Sequence, residues 1–346
     1  MLTIRQEKIL EYVKNNPDSK RSQIEQYIKL TYDVSKVTVL RDLDVLTELG
    51  YIEKNGFTRN VSYRAKNVSV LLTKYDVEKY FETDSDDRQP IYEQFNFDVF
   101  NNLKNVFNDG ELKELSEIND IYNKKIKNIS PQMRKKEFER LLIELSWKSS
   151  KIEGNTYSLL DTENLIKNNV EATGHKKEES IMILNHKKAL DFIFEQPDYF
   201  KEISLKKLEE LHYLLTKDLN VKQGLRETPV GIVGTKYKPL FNKHQITEAV
   251  EKLILTINET KNVIEKAIIA VLMISYIQPF EDGNKRTGRI LANAILFANS
   301  YCPLSYRSVN EVEYKKAVII FYETNSISYF KDIFVEQFKF AVEQYF

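Results

Sequence analysis

The 346-residue sequence is poor in several residue types, with 1 Cys, 1 Trp, 8 Pro and 10 Gly. A lone cysteine, Cys302, excludes an intrachain disulfide and favours a reducing compartment, which we expect to be the cytoplasm. The scarcity of glycine and proline argues against a turn-rich all-β fold. Abundant Leu, Ile, Glu and Lys favour helices instead.

The sequence also lacks a net charge and a long hydrophobic run. Lys plus Arg and Asp plus Glu are equal, at 51 each, so overall charge steers the chain towards neither nucleic acid nor membrane. The polar N-terminus has no signal-peptide pattern. The apolar stretch 267–277 falls short of the ~20 residues that span a bilayer, so it predicts a buried helix. We therefore expect a soluble protein without a membrane partner.

Residues 1–66 carry a weak basic excess, with twelve Lys and Arg against nine Asp and Glu. Their apolar spacing predicts three helices. The third runs over 35–49, with Ser35 as N-cap and Gly50 as its stop. The period then changes to that of a β-hairpin over 51–64, with a type I′ turn at Asn55-Gly56.

Three helices followed by a hairpin resemble the winged helix-turn-helix family. The resemblance implies that the third helix enters the major groove of DNA, with Lys36, Thr38 and Arg41 nearest the base edges. It also implies that Arg59 and Arg64 on the wing meet phosphates. The alternative is a small protein-interaction module on which these charges are merely solvated.

The chain after this module divides into a linker and a larger domain. Residues 67–90 lose clear periodicity and include the acidic run 82–90, which predicts an exposed linker. Helical patterns return over 91–135 and continue to the C-terminus. We expect one domain over 91–346.

A chemically informative stretch connects two predicted helices, 262–277 and about 286–299. A glycine-containing loop that leads into a helix N-terminus offers backbone N–H groups and the positive end of a dipole, which suit phosphate. Arg286 and Arg289 could neutralise a polyphosphate, and Asp282 offers an oxygen ligand for Mg²⁺. The alternative is an ordinary turn with a surface arginine pair.

The same stretch resembles the Fic family, whose signature is His-x-Phe-x-(Asp/Glu)-Gly-Asn-(Gly/Lys)-Arg-x-x-Arg. Seven positions match, namely Phe280, Asp282, Gly283, Asn284, Lys285, Arg286 and Arg289. The family moves AMP from ATP onto protein hydroxyls and, less often, transfers other phosphate-containing groups. The resemblance therefore implies ATP as substrate or ligand, Mg²⁺ as cofactor, and an unknown target protein as partner.

Carried over by position, the resemblance implies a role for each matching residue. Asp282 would bind Mg²⁺. The α- and β-phosphates would be held by Gly283, Asn284 and Arg286, and the γ-phosphate by Arg289. Lys285 stands where many members have glycine, so it could re-orient the nucleotide and change the transferred group.

Gln278 occupies the position of the family's general base, a histidine. A carboxamide cannot accept a proton near neutral pH, and loss of general-base help costs about 10²- to 10⁴-fold in rate. We therefore expect nucleotide binding with weak or absent transfer.

A second match lies upstream, where Ser149, Glu153 and Gly154 fit the (Ser/Thr)-x-x-x-Glu-(Gly/Asn) motif of the family's self-inhibited subclass. We predict an amphipathic inhibitory helix over 137–154, with Gly154 as its C-cap. The resemblance implies that Glu153 pairs with Arg289, so that Arg289 is not available to hold the γ-phosphate. Alone, Glu153 would be an ordinary surface carboxylate before a helix cap.

Residues 226–239 interrupt the helical pattern with glycines and β-branched residues. In the family a β-hairpin here, the flap, aligns a target segment by strand addition. Gly231, Val233 and Gly234 could present that edge, or the hairpin could simply cover the core.

The expected protein is thus mainly α-helical, a Fic domain with a small hairpin flap after an α+β winged-helix domain. One hypothesis is a self-inhibited adenylyltransferase weakened by Gln278. Another is a DNA-bound regulator that uses a catalytically dead Fic domain as a nucleotide sensor, and a third is a hydrolase that removes modifications. Self-association stays open.

Overall fold

The computed structural model describes residues 2–56, 61–65 and 70–346. It divides into two compact units, one formed by Met1–Arg88 with Ser326–Tyr329, and the other by Gln89–Asn325 with Phe330–Phe346.

The first unit is a three-helix cluster with a small antiparallel sheet, whose strands lie in the order β1-β3-β2. Its elements are α1 (Ile4–Asn15), β1 (Ser19–Lys20), α2 (Arg21–Lys29), α3 (Lys36–Glu48), β2 (Ile52–Asn55), β3 (Ser62–Ala65), a 3₁₀ turn (Val70–Leu72) and α4 (Val77–Phe81).

Helix α3 begins and ends as the sequence predicts. The Ser35 hydroxyl accepts the Thr38 N–H at 3.2 Å, which satisfies one of the unpaired N–H groups of the first turn. Gly50 follows the C-cap with φ 77°, a left-handed conformation that favours glycine. Val39 and Leu43, one turn apart, are fully buried in the core of this unit.

Two expectations for this part of the chain need correction. The register pairs Asn55 with Ser62, so Asn55 belongs to the strand and Asn55-Gly56 is not a two-residue turn. The segment expected as an exposed linker buries Leu71 and Tyr80, because the 3₁₀ turn and α4 each turn an apolar side chain inward.

The second unit is helical. Its elements are α5 (Val99–Asn102), α6 (Asp109–Asn128), α7 (Pro131–Ile152), α8 (Leu159–Asn168), α9 (Lys177–Glu195), α10 (Leu205–Thr216), α11 (Lys243–Glu259), α12 (Val263–Ile277), α13 (Asn284–Ala298), α14 (Glu311–Thr324) and, from Phe330 onward, α15 (Ser328–Gln344).

Helix α12 forms the centre of this unit, and every residue over 267–277 is buried. A helix that is apolar on all faces needs neighbours on all faces, and α13 packs closely along it. Across the described parts of the chain, no helix combines the length and apolarity required to cross a membrane.

Gly288 sets how closely α13 approaches α12. A Cβ at this position would lie 3.0 Å from the Val271 carbonyl oxygen and 3.3 Å from the Val271 Cα, and backbone atoms cannot yield cheaply. We expect Gly288→Ala to destabilise the second unit, because overpacking costs about 1–3 kcal/mol and exceeds the gain of about 1 kcal/mol in helix propensity.

Denaturant unfolding followed by the fluorescence of Trp147, the single tryptophan, measures this effect. Gly110→Ala is the matched control, because Gly110 is also helical and its Cβ would meet only a side-chain atom, Asn108 Oδ1, at 3.2 Å. Equal stability of the two variants would contradict the packing argument.

Candidate active site

The site is built on the loop that joins α12 to α13. Gln278 caps α12 in the left-handed conformation, with φ 51° and ψ 60°, and its N–H bonds to the Ile274 carbonyl at 3.0 Å. Gly283 caps α13, also left-handed, with φ 79°. The two caps fold residues 278–283 into a compact loop at the N-terminus of α13, where backbone N–H groups favour an anion.

Asn284 holds this loop closed from inside. Its Oδ1 accepts the Phe280 N–H at 2.8 Å, and its Nδ2 donates to the Phe280 carbonyl at 2.8 Å and to Gln278 Oε1 at 3.0 Å. The side chain of Asn284 is therefore committed to the loop. Its contribution to an anion site comes through the loop's shape and the helix terminus.

The carboxamide of Gln278 is likewise engaged at both ends. Its Nε2 donates to the Ser275 carbonyl at 2.7 Å, while its Oε1 accepts from Asn284. An amide in this position stabilises the loop and offers no group that titrates near neutral pH.

Helix α10 supports the loop from below. The ring of His212 stacks on Phe280 with 3.8 Å between centroids, and its Nε2–H donates to the Asp282 carbonyl at 2.9 Å. Burial lowers the pKa of His212 to about 4, so the ring is neutral at pH 7. A Cβ on Gly283 would lie 2.9 Å from Thr216 Cγ2, so this position needs glycine for space as well as for its backbone angle.

Arg286 is a buried cation with an unused donor. Its side chain is 2% exposed, and its Nη2 bonds to Asp282 Oδ2 at 3.0 Å. Its Nη1 is buried and has no hydrogen-bond partner within the described structure. A guanidinium N–H without a partner in a cavity wall calls for an anionic ligand.

A cavity of about 480 Å³ opens above the loop. It is bounded by the loop, the end of α7, the segment 230–233 and α14. Residues that bring charge or a polar group to it include Glu153, Asp282, Lys285, Arg286 and Tyr314. The volume falls in the usual range for small-molecule sites, about 300–1,000 Å³.

Glu153 enters the cavity from the end of α7, which starts at Pro131 rather than at the predicted residue 137. The Gly154 N–H bonds to the Lys151 carbonyl, and the Asn155 N–H bonds to the Ser150 carbonyl, which is a Schellman cap. Gly154 has φ 97°, so the predicted glycine C-cap is present and fixes where Glu153 lies.

Glu153 contacts two cations of α13. Its Oε1 lies 2.8 Å from Arg289 Nη2, and its Oε2 lies 3.9 Å from Lys285 Nζ. Burial alone would raise the pKa of Glu153, but the charges of Arg289 and Lys285 outweigh it and hold that pKa below its ordinary value. The carboxylate is therefore ionised at neutral pH.

Residues 226–239 form an extended loop. Within the described range 221–242 the backbone forms no β-strand, so the expected hairpin is not a paired ladder; a turn at Val233-Gly234 reverses the chain, and Lys238 makes one isolated bridge to Gln94. Gly231 and Val233 line the cavity, and Val233 is 96% exposed. The polar and glycine-rich arms reach over the cavity without the cross-strand pairs that would make a sheet.

Arg226 fixes the root of this loop and was not singled out from the sequence. Its guanidinium is buried and donates to the carbonyls of Gln278, at 2.6 Å, Thr228, at 2.7 Å, and Leu240. Its backbone N–H also bonds to the Pro279 carbonyl at 2.9 Å. One buried cation thus connects both ends of the extended loop to the α12–α13 loop.

Sequence reasoning also missed His212 and His186, because their spacing from the motif carries no pattern. His186 lies on α9 beside Ser149 and becomes a neighbour only when the helices pack. A buried histidine far along the chain gives no local indication of its partners.

In the first unit, the candidate DNA-contacting residues have different settings. Lys36 and Arg41 are exposed on α3, and Thr38 is half-buried with its hydroxyl 3.0 Å from that of Ser35. Arg64 is paired with Asp18. Arg59 lies outside the described residues.

Within the described ranges, no three His, Cys, Asp or Glu side chains gather as a metal cluster. Asp282 offers a single carboxylate, which is 70% exposed at the cavity. Mg²⁺ is often held by one or two carboxylates together with substrate phosphates, so Asp282 fits such a metal and does not suit a metal held by protein alone.

Residues 202–296 match the model of the Fic/DOC family. A probable protein adenylyltransferase of Aquifex aeolicus is 37% identical over 100 residues, which cover 27% of this chain and 30% of that protein. Protein adenylyltransferase fic-1 of Caenorhabditis elegans is 29% identical over 171 residues, which cover 47% of this chain and 33% of that protein. The alignments thus span about a third of these relatives.

Solved structures share the fold. Fic-1 (residues 134–508) of Caenorhabditis elegans superimposes with a TM-score of 0.56 at 20% identity, over 68% of this chain and 69% of that one. A Fic family protein of Desulfovibrio desulfuricans G20 gives the same TM-score and identity, over 74% of this chain and 76% of that one. The family prediction made from the α12–α13 loop is confirmed for residues 202–296, which match the Fic/DOC family and include that loop.

Proposed function

We propose that this chain binds ATP in the cavity above the α12–α13 loop and transfers AMP to a protein hydroxyl, with its activity weakened at Gln278 and restrained by Glu153. The observation that carries the proposal is the buried, unpartnered Nη1 of Arg286 beside a helix N-terminus. The relatives named protein adenylyltransferases support the choice of reaction.

The roles of the phosphate-binding groups follow from charge and position. The N-terminus of α13 and Arg286 would hold the α- and β-phosphates. Asp282 would hold Mg²⁺, which neutralises phosphate charge when bound. Arg289 would bind the γ-phosphate once Glu153 has moved away from Arg289. The carboxylate and the phosphate cannot both occupy the same position on Nη2.

In the proposed reaction a target hydroxyl oxygen bonds to the α-phosphorus, and the bond between the α- and β-phosphates breaks to release pyrophosphate. The hydroxyl proton must leave as that bond forms. Gln278 can accept a hydrogen bond but cannot take the proton, which then passes to water. Transfer is therefore slow even when the cavity is open.

The extended loop 226–239 would align the target. Gly231 and Val233 line the cavity, and Gly234 completes the turn beside them with φ 83°. A target segment in extended form could add its backbone N–H and C=O groups along this loop.

A nucleotide-affinity series tests the binding site. We expect Arg286→Ala to weaken ATP binding about 10- to 100-fold, because it removes a charge-assisted contact worth about 1.5–3 kcal/mol. Glu153→Gly should tighten binding, because it removes a carboxylate that competes with phosphate. Isothermal titration calorimetry with ATP and Mg²⁺ measures both effects.

Lys243→Ala is the control, because Lys243 is an exposed cation paired with Glu227 and does not line the cavity. Unchanged ATP affinity on Arg286→Ala, with the Trp147 fluorescence of the folded protein retained, would rule out the phosphate assignment.

A labelling series tests the chemistry. The full chain is incubated with α-labelled ATP and Mg²⁺ as wild type, Glu153→Gly, and Glu153→Gly with Gln278→His. We expect only the double variant to label protein strongly, about 10²- to 10⁴-fold above the single variant, because imidazole supplies the missing base. An imidazole can keep the donor to the Ser275 carbonyl and still present its other nitrogen to the target.

Glu153→Gly with Gln278→Ala serves as the matched control for loss of the glutamine. Wild-type protein that labels as strongly as the double variant would contradict an impaired base.

The first unit supports a second function, which is DNA binding through α3. Its three helices and antiparallel hairpin support the winged-helix interpretation, and Lys36 and Arg41 are exposed along α3. The basic excess of residues 1–66 is small, so we propose weak, salt-sensitive binding to DNA. In this second function the DNA-bound chain would act as a sensor of nucleotide.

We expect the full chain to shift duplex DNA at low salt, and Arg41→Ala to weaken that binding by about 1–3 kcal/mol, because the lost contact would be to a base edge. Lys29→Ala is the control, because Lys29 is an exposed cation at the end of α2. Absence of a shift even at low salt, or an equal loss with Lys29→Ala, would remove DNA from the partners of α3.

A further inference from the structure

Arg289 is held by more than its carboxylate. It is completely buried and makes three hydrogen bonds to the end of α7. Its Nη2 bonds to Glu153 Oε1 at 2.8 Å and to the Ser149 carbonyl at 2.9 Å, and its Nε bonds to the Ser149 hydroxyl at 3.0 Å. Two of the three bonds are therefore independent of Glu153.

The Ser149 hydroxyl can accept a hydrogen bond from Arg289 only if its own O–H points elsewhere. That O–H points to His186. The Nδ1 of His186 lies 2.8 Å from the Met182 carbonyl, to which it can only donate. The Nε2 then carries a lone pair, 2.9 Å from Ser149 Oγ. The Ser149 O–H therefore donates a hydrogen bond to His186 Nε2, and a lone pair of Oγ faces Arg289.

This arrangement requires a neutral ring. Burial lowers the pKa of His186 to about 3, with smaller contributions from the charges of Arg286 and Arg289. A protonated imidazole would donate from both nitrogens, turn the Ser149 hydroxyl around, and place a third cation beside the two arginines.

We infer that Ser149 and His186 form a positioning pair, which orients Arg289 towards the γ-phosphate of a bound nucleotide and stays in place when Glu153 leaves. This inference rests on the proposed ATP site. It moves Ser149 from the inhibitory group, where the sequence motif places it, to the ligand-binding side.

The accessibility of the two residues supports this division. The Glu153 side chain is 20% exposed and lines the cavity, so a phosphate can reach and displace it. Ser149 is completely buried and does not line the cavity. When the carboxylate moves away, the Nε and carbonyl contacts still hold the guanidinium, and the place of one oxygen on Nη2 becomes free.

The test compares ATP and AMP binding in the Glu153→Gly full chain. Adding Ser149→Ala should weaken ATP binding about tenfold, or about 1.4 kcal/mol, because Arg289 loses its Nε acceptor. AMP lacks the γ-phosphate, so its affinity should not change. Ser149→Thr keeps the hydroxyl and should restore ATP affinity, while His186→Phe should act as Ser149→Ala does.

Calorimetry separates the outcomes. Tighter ATP binding with Ser149→Ala would mean that Ser149 restrains Arg289. Unchanged ATP binding would mean that Ser149 neither restrains nor orients Arg289. Either result by itself overturns the inference. Equal losses for ATP and AMP would indicate a merely structural role and also overturn it. No ATP binding by Glu153→Gly protein would instead defeat the proposed function.

A readout without nucleotide tests the pair directly. Nitrogen-15 NMR of the four labelled histidines should show His186 as the neutral Nδ1–H tautomer from pH 5 to pH 8. In Glu153→Gly protein the tautomer should persist. A protonated ring, or an Nε2–H tautomer, would overturn the inference, because Ser149 Oγ would then accept from His186 instead.

Discussion

A buried guanidinium with no access to water is the constraint on which the site depends. Arg289 cannot shed its proton, so the fold must place an anion against it at all times. The carboxylate of Glu153 supplies that anion, with its Oε1 2.8 Å from Arg289 Nη2, and so joins the end of α7 to α13.

The neighbouring residues position the Glu153 carboxylate against α13. The Schellman cap at Gly154 fixes the end of α7 and thereby places Glu153 beside α13. Lys285 gives the carboxylate a second cation at 3.9 Å, a contact that members with glycine at this position cannot make. The Glu153 carboxylate therefore has one short and one longer electrostatic contact with α13.

The loop beneath the cavity shows why Gln278 is compatible with the fold although it removes the base. Its amide donates to the Ser275 carbonyl and accepts from Asn284, so it completes the same loop that the α13 terminus needs. The side chain of Gln278 therefore contributes to the shape of the loop, and its exchange would remove two of the loop's hydrogen bonds.

The sequence by itself determined the features that depend on near neighbours: the Ser35 and Gly154 caps, the buried α12, and the loop between α12 and α13, whose motif spans few residues. The Glu153–Arg289 pair crosses 136 positions and was predictable only because a resemblance supplied it. Tertiary structure alone decided the support by His186 and Arg226, the pairing of Asn55 with Ser62, and the extended form of loop 226–239 without a β-ladder. Cap and helix patterns are local interactions, but a buried polar group takes whatever partner the packing of distant helices brings to it.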